Sequence, residues 1–263
     1  MKNIGEIKNI VLLGAGSVAT HLSHALNLND YRIVQIYSRT SDSAGVLAMK
    51  TNSEYITDID LLNKDADLYI VALKDSVVEA LLSKVRVNGI VVHTSGTLPM
   101  EVLRNMSKRY GVFYPLQTFS KSRPIKFDHI PMCLEASDEQ TLEAIRGVAV
   151  KLSDKIYDIS SELRRYIHLA AVFSCNFSNF MYVAASDILK KHDINFDILI
   201  PLMKEFFDKV TFMEPWEAQT GPAVREDHAV IDRHMLLLDE FPDFKEIYTA
   251  ITKEIIKRKR NQN

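Results

Sequence analysis

The stretch Ile10–Ala19, IVLLGAGSVA, constrains this chain more than any other. Ile10 to Leu13 read as a buried strand, Gly14-Ala15-Gly16 as a turn, and the following residues as a helix running to about Leu28. The small residues follow the G-x-G-x-x-A spacing, and each has a physical task. Gly14 permits the tight exit from the strand. Gly16 lets the backbone approach a pyrophosphate, and Ala19 lets helix and strand pack closely. The backbone around Ala15, Ser17 and Val18 then presents free N–H groups at a helix start, where an anion is favoured. A second strand, Arg32–Tyr37, arrives about twenty residues on, as this fingerprint requires.

Downstream, short apolar runs alternate with amphipathic ones. Strands are expected at Tyr55-Ile56, Asp67–Leu73, Gly89–His93 and Val112–Tyr114. Helices are expected at Ser41–Thr51, Asp58–Leu62, Ser76–Val85 (capped by the Asp75 carboxylate) and Met100–Tyr110, with Pro99 at its start. The polar segment Gln117–His129 reads as a loop. A further unit follows: strand Ile130–Glu135, helix Glu139–Ser153 and strand Lys155–Ile159. Beyond Ser160 the pattern is wholly helical, with Ser161–Lys191, Phe196–Met213, Ala223–Glu240 and Phe244–Lys257. The fold class is therefore α/β: a Rossmann-like, doubly wound, mainly parallel sheet over residues 1–160, followed by an all-α domain over residues 161–263.

Composition excludes several classes. The 263 residues are 47% hydrophobic and 25% charged, with a formal net charge of −2, so a nucleic-acid partner is not expected. The basic run Lys257–Arg260 suits the last turn of a helix. Cys133 and Cys175 lie far apart in apolar segments and read as reduced core residues of a cytoplasmic protein. Tyr166–Ala185 is long enough to span a bilayer and has no Asp, Glu, Lys or Arg, but His168, Ser174, Asn176, Ser178 and Asn179 interrupt it. It reads as a helix buried in protein rather than in lipid. So long an apolar surface in a helical half of about 100 residues also predicts a homodimer.

The choice of nucleotide rests on the end of the second strand. NAD-binding folds usually place a carboxylate there for the ribose hydroxyls. Val34–Thr40 has none and offers Ser38, Arg39 and Thr40 instead, which suits the 2′-phosphate of NADP. Leu73, Thr94 and Ser95 follow later strands, at the edge where the rest of the cofactor would lie.

Several motifs together resemble a known family: GAGSVA at Gly14–Ala19, HTSG at His93–Gly96, YPLQTFS at Tyr114–Ser120, IHLAAVFSCNFSNF at Ile167–Phe180, and TGPAVREDH at Thr220–His228. The chain is similar to a bacterial family described as NADP oxidoreductases, with a Rossmann-like domain and a helical domain of unknown function. That family belongs to the superfamily of pyrroline-carboxylate reductases, 6-phosphogluconate dehydrogenases and 3-hydroxyisobutyrate-type dehydrogenases. The resemblance implies a nicotinamide cofactor and a helical domain that often dimerises. Its hydroxyacid dehydrogenases carry a catalytic lysine on the first long helix of the second domain. Here that helix has no lysine before Lys190, and the nearest basic groups are Arg164, Arg165 and His168. The resemblance therefore points to imine or carbonyl reduction with another proton donor.

His168, Val172, Asn176 and Asn179 fall at spacings that share one helix face. His168 is the expected general acid, with Asn176 as a second catalytic group and Asn179, Gln117 and Thr118 holding a small substrate in an interdomain cleft. In a second cluster, Gly221-Pro222 starts a helix suited to an anion, with Arg225 adding charge or pairing with Asp227. Asp227 and His234 share a face, but two ligands do not make a metal site, and none is expected. The alternative is an NADP-binding dimeric sensor or partner-binding protein without turnover.

Overall fold

The computed structural model describes residues 5–83 and 85–262. Its centre is one eight-stranded sheet of order β3-β2-β1-β4-β5-β6-β7-β8. The strands are β1 (Asn9–Leu13), β2 (Arg32–Tyr37), β3 (Glu54–Ile56), β4 (Leu68–Val71), β5 (Ile90–His93), β6 (Tyr110–Pro115), β7 (Met132–Ala136) and β8 (Ile156–Asp158). All neighbours are parallel except β6 and β7, so the sheet is mainly parallel as expected.

The strands are apolar on both faces because both are covered. Along β1, Ile10 and Leu12 join one core, and Val11 and Leu13 join the other. Against the first lie α1 (Ser17–Leu28), α2 (Ser41–Thr51) and α4 (Glu139–Leu152). Against the second lie α3 (Asp75–Leu82) and a 3₁₀ turn, Met100–Leu103. Each fully buried Leu or Ile contributes about 1.5–3 kcal/mol, so the double layer is the main source of stability in this part.

Two helices packed on the sheet depart from expectation. Met100–Tyr110 is helical only over Met100–Leu103, because Ser107 turns its hydroxyl to the Gly89 carbonyl and Tyr110 enters β6. The helix expected at Ser76–Val85 runs Asp75–Leu82, and Lys84 lies outside the described residues. Its cap is Lys74, without a side-chain bond; the Asp75 carboxylate accepts from Ser95 Oγ and Thr97 Oγ1 instead.

After β8 the chain enters α5 (Ser161–Ala171), whose first turn Ser160 caps through Leu163 N. A π-helical turn, Val172–Phe177, joins it to α6 (Ser178–Lys191). Two compact units divide at Cys175/Asn176, beyond the boundary expected near Ser160. The physical reason is that the first turns of α5 are bonded to the sheet unit through Arg164 and His168.

The second unit comprises α6, α7 (Ile200–Phe212), α8 (Pro222–Arg225), α9 (His228–Leu237) and α10 (Pro242–Arg260). The helix expected over Ala223–Glu240 breaks at Glu226, which is left-handed (φ 53°), and Asp227 caps the next helix through Val230 N. Asp227 therefore does not pair with Arg225; Glu226 binds Arg260 at 2.6 Å. His234 bonds Tyr248 Oη at 2.9 Å.

Candidate active site

In open α/β sheets ligands lie outside the carboxyl ends of the strands, at the switch in strand order. Here the switch falls between β1 and β4, on either side of which the chain proceeds outward. Gly14 leaves β1 at φ +123° and donates its N–H to the Tyr37 carbonyl at 2.7 Å, which ties the glycine turn to the end of β2. A methyl group at Gly14 would lie 2.3 Å from the Ala72 carbonyl oxygen, so no larger residue fits. Ala15 is buried beneath this turn.

Gly16 caps α1 with no side-chain bond, and no acid occupies the first turn. The space where its side chain would stand is open for 4 Å around. Ser17 and Val18 follow, half-buried, at the start of the helix. Here an uncapped helix end, an open cradle and the absence of a carboxylate occur together, and the three features fit a pyrophosphate. Past β2, Ser38 donates its N–H to the Ile56 carbonyl at 3.1 Å, while Arg39 and Thr40 are exposed. Among the described residues the Arg39 guanidinium forms no ion pair, so the corner carries an unneutralised positive charge.

Leu73, half-buried, follows β4. After β5, Thr94 donates N–H to the Val71 carbonyl at 3.0 Å. The Ser95 hydroxyl is engaged by α3 and by its own loop: it donates to Asp75 at 2.8 Å and accepts from the N–H groups of Thr97 and Leu98, each at 3.0 Å. Gln117 and Thr118 are exposed, and the Gln117 side chain accepts from Thr118 N at 2.8 Å. Their loop is tethered to α1, because His21 Nε2 donates to the Ser120 carbonyl at 2.9 Å and its ring lies against Phe119.

His168 lies beside the ends of β5 and β6. Its Nδ1 lies 3.1 Å from the Tyr114 hydroxyl at the end of β6. Burial pushes the Tyr114 phenol up to about 12, so it stays protonated throughout the ordinary range. Gly96 lies against the imidazole; a methyl group there would lie 2.5 Å from Nδ1.

One turn before His168, Arg164 is fully buried. Its Nη1 donates to Glu135 Oε2 at 2.9 Å, Nε to the Ser95 carbonyl at 3.1 Å, and Nη2 to the Leu98 carbonyl and to Ser161 Oγ. Ser161 also donates to Glu135 at 2.5 Å. His93, at the end of β5, is pushed down to about 4 by burial and by the Arg164 charge, so it is neutral. Its Nδ1 accepts from Ser95 N at 3.2 Å, which leaves the proton on Nε2.

Arg164, Glu135, Tyr114, His93 and Gly96 received no site role from spacing alone. The quoted HTSG and YPLQTFS motifs contain His93, Gly96 and Tyr114, but strand registers are needed to place them around one imidazole.

Asn176 lies in the π turn and Asn179 in α6; both are exposed and belong to the second unit. The π turn breaks the α spacing on which the shared face of His168, Val172, Asn176 and Asn179 was drawn. Cys133 is buried as expected, but Cys175 is exposed. The expectation of a buried helix is also corrected. None of the most apolar window within Ser161–Lys191 is buried in this chain, and the helix has the length and composition to cross a membrane. Tyr166, Leu169, Phe180 and Val183 are among its exposed residues. No cluster of three or more metal-ligating side chains occurs among the described residues.

The sheet order, the glycine turn at its switch point and the helices on both faces define a Rossmann-like α/β protein. A Rossmann-like domain model matches residues 6–117, and a domain of unknown function, DUF2520, matches residues 130–255. The chain belongs to the same family as the "putative NADP oxidoreductase" of Bacteroides fragilis. That crystal structure is 44% identical, with a TM-score of 0.90, over 95% of this chain and 98% of that one. A Thermotoga maritima protein is 24% identical, with a TM-score of 0.70 over 96% and 99% of the two chains. The 1-pyrroline-5-carboxylate reductase of Streptococcus pyogenes shares the fold at 12% identity, with a TM-score of 0.61 over 98% and 100%. Among curated proteins no match was found.

Proposed function

We propose that this protein is an NADP-dependent oxidoreductase acting on a small imine or carbonyl compound. Residues 1–160 would form the cofactor domain, and 161–263 a helical domain for substrate and dimerisation. The observation that carries the reading is the open, uncapped start of α1 at Gly16, joined through the Gly14–Tyr37 bond to the corner that presents Arg39. The fold shared with a pyrroline-carboxylate reductase supports reduction of a C=N bond, and the family's NADP description supports the nucleotide.

In this reading Gly14, Ala15, Gly16, Ser17 and Val18 receive the pyrophosphate, and Ser38, Arg39 and Thr40 receive the 2′-phosphate. Leu73, Thr94 and Ser95 border the remainder through backbone and side chain. A bound nicotinamide supplies or accepts the hydride. His168 supplies the proton that the reduced nitrogen or oxygen needs, and Gln117 and Thr118 hold the substrate. The exposed apolar side of Ser161–Lys191 supports a homodimer, and its interspersed polar groups favour a protein partner over lipid. The near-neutral net charge argues against nucleic acid, and the free thiols accord with the cytoplasm.

Titration with each dinucleotide tests the cofactor assignment. A charge-assisted bond contributes about 1.5–3 kcal/mol, so Arg39→Ala should weaken NADPH binding roughly ten- to a hundredfold and leave NADH binding nearly unchanged. Equal losses would remove the assignment. The absence of a lysine from Ser161–Leu189 favours a second reading, a nucleotide-binding sensor without turnover. Substrate-dependent oxidation of NADPH separates the two.

A further inference from the structure

We infer that Tyr114 is the positioning residue of the His168 proton donor, and that Gly96 is glycine because the imidazole occupies the place of its side chain. The inference deepens the oxidoreductase reading and rests on it for the direction of proton transfer; the geometry stands by itself. An imidazole has two nitrogens, and the hydrogen bond made by one determines which proton the other carries. Here the Tyr114 hydroxyl stands 3.1 Å from Nδ1, with the ring planes at 68°. When His168 is neutral, the phenol donates to Nδ1 and the ring proton resides on Nε2. When His168 is protonated, the hydroxyl turns and accepts from Nδ1–H, and Nε2 again carries a proton.

The phenol therefore serves both charge states, and Nε2–H of the protonated ring is the bond that breaks on donation. The electron pair of that bond stays on the ring, the proton goes to the substrate nitrogen or oxygen, and Nδ1–H is at first left bonded to the Tyr114 oxygen. The ring returns to its resting tautomer when Nε2 takes a proton from water, Nδ1 releases its own to water, and the hydroxyl turns back to donate. A carboxylate partner would instead stabilise the protonated ring and oppose release. Glu135, which reaches the first turn of α5, is occupied by Arg164 and Ser161.

The test is nitrogen NMR of ¹⁵N-histidine-labelled full-length protein saturated with NADP⁺, with His168 assigned by its loss in His168→Gln. In its neutral form the wild-type ring should show a single tautomer, with an acceptor Nδ1 and a protonated Nε2. Tyr114→Phe should retain NADPH affinity within threefold and show averaged nitrogen shifts, as in free imidazole. Gly96→Ala, which displaces the ring without touching the phenol, should average them likewise. A wild-type ring protonated on Nδ1, or an unchanged tautomer in a folded Tyr114→Phe, would overturn the inference. With any imine that the wild type reduces, Tyr114→Phe should lower kcat at least tenfold and change KM less than threefold. Failure to find a turned-over imine would count against the oxidoreductase reading alone, because the NMR result needs no substrate.

Discussion

Replacing Arg164 by alanine should cost about 4 kcal/mol of folding stability. The side chain is fully buried and donates to Glu135, Ser161 and the carbonyls of Ser95 and Leu98. Removing one member of a buried ion pair costs about 3–5 kcal/mol, because the other charge is left without a partner. Here Glu135 is less affected than in a fully closed pair, since its side chain is 17% exposed and Ser161 still donates to it. The two carbonyls add about 1–3 kcal/mol each where water does not reach them. Water entering the vacated volume reaches those carbonyls and offsets their share, so the ion-pair figure alone, about 4 kcal/mol, is expected. A domain of ordinary stability has about 5–15 kcal/mol in all, so the variant should fold but unfold at much lower urea. The assay is urea denaturation followed by circular dichroism, with the double variant Arg164→Met, Glu135→Leu alongside. The double variant should recover at least half of the loss, because no charge is then stranded. A loss below about 1 kcal/mol in Arg164→Ala, or a double variant no better than the single one, would refute the reasoning.

Two further outcomes follow from groups near the same strand ends. The buried His93 ring titrates near 4 in the folded chain and near 6.5 when unfolded, so the unfolded state binds more protons between those values. Stability should be fully present above pH 6.5 and fall as pH drops towards 4, by roughly 3 kcal/mol from this group; His93→Gln should show a correspondingly shallower acid limb in urea midpoints. Gly14→Ala would bring a methyl group onto the Ala72 carbonyl at a backbone angle of +123°, and dinucleotide affinity measured by titration should fall at least a hundredfold.

Much of the sheet was legible in the sequence because its strands are buried on both faces and read as apolar runs. Arg32–Tyr37 and Ser41–Thr51 have the bounds expected of them. The errors lie where a side chain competes with the backbone. Ser107 leaves a helical turn for the Gly89 carbonyl, and Asp227 caps a new helix rather than pairing with Arg225. Asp75 has an N-cap's composition but answers to Ser95 and Thr97. The burial of Tyr166–Ala185 was misjudged because hydrophobicity records an aversion to water, not what covers the surface. That His168 lies on an apolar helix was legible. Its surroundings were not, because Tyr114, Gly96 and Arg164 converge only through strand order and helix docking.

The π turn Val172–Phe177 amounts to an α-helix that has accommodated one additional residue. Removing a single codon there would restore ordinary winding and leave every later side chain at nearly its present bearing, because six residues wound this loosely sweep about the same angle as five in an α-helix. Asn176 thus sits within the widened turn, and Asn179 keeps the bearing it would have without it. In relatives that lack the extra residue the rod beyond the turn would present the same side, although an ungapped comparison would pair the wrong positions along it.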